Sequence, residues 1–135
     1  MSDKRPWDLE DWLTEADGVI EKHHYRGPES LTVREWLLFE FWEFDTQQRN
    51  GGVSQYFCNN PIERWNRLCA IVGPVSPAFA SFAALVDSAI EGAADPYEAI
   101  IESSVDLDVI YWNEWAEIVG QVKAAYCDSG RDSSG

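Results

Sequence analysis

Between Val33 and Phe44 the chain places Val33, Trp36, Leu37, Leu38, Phe39, Phe41, Trp42 and Phe44 within about three helical turns. Glu35, Glu40 and Glu43, with Arg34 at the start and Asp45 just after, are the polar interruptions. A helix lying on a surface shows one apolar stripe, whereas an arc this wide needs neighbours on more than one side. The segment therefore reads as the central helix of a domain, over about residues 31–49. The rest of the chain has to supply the helices that surround it.

Those helices are visible in the hydrophobic period. Trp7, Trp12, Leu13, Ala16, Val19 and Ile20 recur at three- and four-residue steps, with Asp8, Glu10, Asp11, Glu15, Asp17 and Glu21 between them, until Gly27-Pro28 interrupts the pattern. Thr32 followed by Glu35 forms a capping box, in which each side chain serves an orphan amide of the first turn. Asn50-Gly51-Gly52 ends the central helix, since a glycine just past a helix end adopts positive φ without strain.

Asn60-Pro61, Ser76-Pro77 and Asp95-Pro96 each repeat a cap followed by a proline, the start signal of a helix. Ile62, Trp65, Leu68, Cys69 and Val72 form the inner stripe of the first of these, and Phe79, Phe82, Leu85, Val86, Ala89 and Ile90 that of the second. A separate last helix is expected from about Asp106 to Tyr126, with Tyr111, Trp115, Ile118, Val122 and Tyr126 inward and Glu114, Glu117 and Gln121 outward. No sustained alternating run of β-branched residues indicates a strand. The expectation is an all-α fold: one compact domain over residues 1–128, with six or seven helices around an aromatic-rich core, and a flexible polar tail over 129–135.

The 135 residues suffice for one domain without disulfide or metal staples. Seven Trp and 45% apolar residues exclude the composition of a disordered acidic tail. The net charge of −14 and a pI near 4.3 argue against direct binding of nucleic acid or anionic membrane, and point to a basic partner. Cys58, Cys69 and Cys127 match no paired redox or zinc spacing and read as free thiols of a reducing compartment. No export signal is visible, and the least polar window, Ala78 to Ile90, is too short to span a bilayer. A cytoplasmic protein is expected.

The charge is segregated. Residues 50–75 are net +1, whereas residues 76–128 hold ten acids against one base, Lys123, a net −9. Carboxylates recur there at helical steps, which places like charges about 6 Å apart. The candidate partner-binding acids are Asp87, Glu91, Asp95, Glu98, Glu102, Asp106, Asp108, Glu114 and Glu117. Either they form an interaction face, or they are a solvated surface that keeps the protein soluble.

Catalytic chemistry is hard to assemble. His23 and His24 are adjacent, so on a helix they diverge by about 100° and cannot share a metal. No base is patterned to Cys58, and no calcium loop, phosphate loop or nucleophile elbow occurs. No cofactor or metal is expected.

One segment stands apart, Asn50-Gly51-Gly52-Val53-Ser54-Gln55-Tyr56-Phe57-Cys58-Asn59-Asn60. On its residues alone, Asn50, Gln55 and Asn59 either satisfy backbone groups freed at a helix junction or line a ligand pocket. Asn50, Gly51, Gly52, Gln55, Tyr56, Phe57 and Asn59, directly after a helix rich in Glu, Phe and Trp, also resemble the signature of a bacterial family. That family was formerly catalogued as a domain of unknown function and is now named for a Neisseria DNA-mimic protein. The likeness covers residues 31–92; Val53 stands where an aromatic is expected, and the chain from Leu107 onward has no counterpart. It implies an all-helical domain, a possible homodimer and, in one branch, a negative surface that binds a transcription factor in place of DNA. The signature residues look structural, so the mimicry does not follow from them.

Three functional expectations result. The first is an acidic interaction domain, of the DNA-mimic kind, that docks on the basic surface of a DNA-binding protein or regulator. The second is an immunity protein that neutralises a basic toxin nuclease. The third, an enzyme or small-ligand binder centred on the Asn-Gly-Gly turn with Asn50, Gln55, Tyr56, Asn59 and Cys58, requires a polar cavity there.

Overall fold

The computed structural model describes the backbone of residues 9–134 and the side chains of residues 16–127. Among the described residues six α-helices follow one another: α1 (Leu9–Arg26), α2 (Val33–Gly51), α3 (Val53–Asn59), α4 (Ile62–Val72), α5 (Pro77–Ile90) and α6 (Pro96–Ser134). A single 3-10 turn, Pro28–Ser30, joins α1 to α2, and no strand occurs among the described residues. Trp7 lies outside them, as do the side chains of Trp12 and Leu13.

α2 is central, as its wide apolar arc requires. It packs against α1, α3, α4 and α6, while α5 and α6 form the most extensive helix pair. Phe44 sits fully buried where these elements meet, with its ring centroid 5.0 Å from Tyr56, 5.4 Å from Tyr111, 5.8 Å from Trp65 and 5.9 Å from Phe79. Those four rings belong to α3, α6, α4 and α5. One side chain thus touches every helix packed around the C-terminal half of α2.

The expected start signals are used, with one displacement. The Thr32 hydroxyl accepts from Glu35 N–H at 3.2 Å, and the Glu35 carboxylate accepts from Thr32 N–H at 2.9 Å, which completes the capping box. The Lys22 ammonium, on α1, donates to the same carboxylate at 2.9 Å and so ties the two helices together. Ser76 caps α5 through Phe79 N–H. For α4 the cap is Pro61 itself. The Asn60 amide instead donates back to the Tyr56 carbonyl and closes α3.

Three expectations about the later helices are corrected. The segments after Asp95 and from Asp106 are one helix, α6, because Ser103-Ser104 supplies neither the glycine nor the proline needed to break it. Leu85 is exposed on α5 and does not line the core. Gln121 faces α5: its side-chain carbonyl accepts from Ser76 Oγ at 2.7 Å and from Ala78 N–H at 3.1 Å, adding an acceptor to that helix start.

Burial opposes ionisation of Glu35, but the Thr32 amide and the Lys22 ammonium outweigh it and hold the carboxyl below its ordinary range. A lowered folded-state pKa adds stability above the unfolded pKa, and that increment is lost as pH falls through the folded value. Glu35→Gln should therefore lower stability by about 0.5–1 kcal/mol at pH 7. In urea denaturation its difference from wild type should shrink towards zero in acid, below the ordinary carboxylate range.

Candidate functional site

Carboxylates fall into two populations, and only one is available to a partner. Asp45 and Glu40, on α2, are buried. Asp45 Oδ1 accepts from the Tyr111 hydroxyl at 2.6 Å and from the Trp115 indole N–H at 2.9 Å, while Oδ2 accepts from Arg49 at 2.8 Å. Tyr111 is correspondingly driven well above the ordinary phenol range, first by burial and then by the Asp45 charge. Glu40 accepts from Arg64 at 3.0 Å and lies 3.7 Å from Arg67. Both acids looked like polar interruptions in the sequence. A partial signal was present: Arg49 stands four residues after Asp45, and Arg64 and Arg67 are the bases of the net +1 block.

Of the nine candidate partner-binding acids, four accept hydrogen bonds within the fold. Asp108 faces the α2–α3 junction, where Oδ1 accepts from Gln48 at 2.6 Å and from Val53 N–H at 2.8 Å. Asp87 is exposed, with one oxygen accepting from the Trp65 indole at 2.8 Å. Asp95 accepts from Tyr97 N–H at 3.1 Å and caps α6. Glu117 accepts from the Gln121 side-chain amide at 2.9 Å but stays exposed, and together with Glu91, Glu98, Glu102, Asp106 and Glu114 it makes six acids that face solvent. Five of them lie on α6, and Glu98 to Glu117 extends about 28 Å along the helix axis. At roughly 100° per residue Glu98, Glu102, Asp106 and Glu117 share the half of α6 turned away from Tyr111, Ile118 and Val122, with Glu114 at its margin.

The Asn50–Asn59 segment is a helix junction. Gly52 ends α2 and starts α3 at φ 83° and ψ −178°, a region essentially confined to glycine. Its N–H donates to the Gln48 carbonyl and its carbonyl accepts from Gln55 N–H. A Cβ at Gly52 would collide with the Asp108 carboxylate. Gln55 and Asn59 do not serve freed backbone groups as one sequence reading supposed. Both donate to the side-chain carbonyl of Gln47, at 3.1 and 2.8 Å, and the Val53 amide is served by Asp108. Tyr56 and Phe57 enter the core, and Asn50 is exposed. Of the signature side chains, Gln55 and Asn59 are thus tied to α2, and Tyr56 and Phe57 are buried in packing.

Cys58 and Cys127 are exposed, whereas Cys69 is half-buried and burial, aided by the Asp87 charge, pushes its thiol up to about 12. His23 stacks on Phe39 at 4.6 Å and His24 is exposed, so the pair diverges. Among the described residues no group of three His, Cys, Asp or Glu side chains is placed to hold a metal. No helix among them is long and apolar enough to cross a membrane.

No family model, curated protein or solved structure matches the chain.

Two outcomes test this geometry. Gly52→Ala should destabilise by about 2 kcal/mol or more in chemical denaturation, from positive φ and the contact with Asp108. In native protein at pH 8 a thiol reagent should label Cys58 and Cys127 well before Cys69, with peptide mapping as the readout.

Proposed function

We propose that this chain is an acidic protein-interaction domain whose α6 carboxylates, continued by Glu91 at the end of α5, dock on a basic protein surface. The supporting observation is the exposed series Glu98, Glu102, Asp106, Glu114 and Glu117 on one helix, in a 53-residue stretch (76–128) with Lys123 as its one base. Like charges at four-residue spacing cost a few tenths of a kcal/mol per pair. A basic partner reverses that cost, because each carboxylate then meets Arg or Lys in a charge-assisted contact.

In the narrower form of this reading the carboxylates stand in for nucleic-acid phosphates and the partner is a DNA-binding regulator. That form rests on the resemblance of Asn50–Asn59 to the DNA-mimic family, with residues 31–92 as the shared scaffold. We place the protein in the cytoplasm on its free cysteines.

The full chain, immobilised and incubated with native cell extract at low salt, should retain a basic protein that is released as ionic strength rises. Exposed charges are screened over about 8–10 Å near physiological salt, so release should be steep. Glu98→Gln, Glu102→Gln and Glu114→Gln together should lower retention at least tenfold, each lost charge contact being worth a fraction of a kcal/mol to over one. Retention that is insensitive to salt, or undiminished in the triple variant, would sink the proposal.

A further inference from the structure

The outer side of α6 carries an apolar stripe beside its acid row. Ile101, Val105, Val109 and Trp112 recur at steps of four, four and three residues and are 44%, 75%, 55% and 40% exposed. Their spacing places them on one face over about 16 Å, or three turns. Each of the first three is preceded three residues earlier by a carboxylate: Glu98, Glu102 and Asp106. Residues three apart are neighbours on a helix surface, so the acids form one continuous edge of the stripe. At the far end the Arg49 guanidinium lies 5.2 Å from the centre of the Trp112 ring, so this surface already accepts a cation against an aromatic face.

Apolar residues at this spacing, left in water, match the geometry by which helices dock on helices. Charge selects the occupant. A second copy laid antiparallel along α6 by a two-fold axis would set the acid edge against itself. A helix with apolar residues on one face and Lys or Arg along its flank matches both features at once.

We infer that α6 is the docking site of a basic amphipathic helix, whose apolar face lies on Ile101, Val105, Val109 and Trp112 while its cationic flank meets Glu98, Glu102 and Asp106. This rests on the acidic-face reading above and deepens it, because contact by charge alone does not require the stripe.

The test uses the full chain and a labelled Leu/Lys peptide of about 18 residues with Leu at helical spacing. Its controls are the same composition in scrambled order and an oligolysine of equal charge. By fluorescence anisotropy the amphipathic peptide should bind at least tenfold tighter than the scrambled one. Val105→Gln with Val109→Gln, two exposed positions where Gln is the better helix former, should abolish that preference and leave oligolysine binding within twofold. On wild-type protein, backbone amide shifts on peptide addition should centre on residues 98–112, a measurement that needs no variant.

Absence of any preference for the amphipathic order, or its survival in the double variant, overturns the inference. If oligolysine still binds in that case, the acidic-face reading stands. A wild-type dimer in sedimentation that the double variant converts to monomer also overturns it, because the stripe is then covered by a second copy. Loss of oligolysine binding alone, with the stripe-dependent preference kept, counts instead against a surface that works by charge.

Discussion

A carboxylate buried between the two longest helices fixes how the domain closes. Asp45 is taken out of water on α2, and its two oxygens are answered by Tyr111 and Trp115 from α6 and by Arg49 from α2 itself. An isolated buried charge would be prohibitive, so its partners are an obligation of the fold. The Tyr111 and Trp115 bonds fix the rotation of α6 about its axis against α2. Rotation by one residue, about 100°, would remove both donors. Phe44, one position earlier, packs against the Tyr111 ring, so the polar and aromatic anchors of α6 share one point on α2.

The same anchoring gives the remaining acids their places. With Tyr111, Ile118 and Val122 inward, Asp108 faces the α2–α3 junction and serves Val53 N–H, while Glu98, Glu102, Asp106, Glu114 and Glu117 face water. The fold therefore uses acidity in two opposite ways. Inside, Asp45, Glu40 and Asp108 are matched by donors at 2.6–3.0 Å and hold elements together. Outside, a row of like charges stands in water at a small energetic cost.

Much of the architecture was legible because it depends on local rules. The Thr32–Glu35 box, the Ser76-Pro77 start and the glycine at the end of α2 each act within a few residues, and each works as the sequence indicates. The centrality of α2 followed from the width of its apolar arc. What could not be read depends on distant partners. Glu40 and Asp45 are buried because Arg64 and Tyr111 reach them across 24 and 66 residues. Asp108, grouped with the acidic face from its position alone, turns inward for the same reason, across 55 residues to Val53. Gln55 and Asn59 looked like backbone caps, and their common partner Gln47 lies on a different helix.

The continuity of α6 explains why its apolar stripe was invisible in the sequence. The cap and proline at Asp95-Pro96 and the inward pattern from about Asp106 read as two helices. Ile101 and Val109 would then belong to different elements, with no reason to share a face. Serine costs a helix only about 0.5 kcal/mol relative to alanine, too little to break it when the flanking turns are packed. Ile100 and Leu107, both buried, pack on the two sides of the serine pair and carry the helix through it. Because the break does not occur, three Val and Ile side chains and one Trp fall into line, with carboxylates three residues before each of the first three. Core packing on the inner face thus creates, at no further structural cost, the register of charge and apolar surface on the outer face.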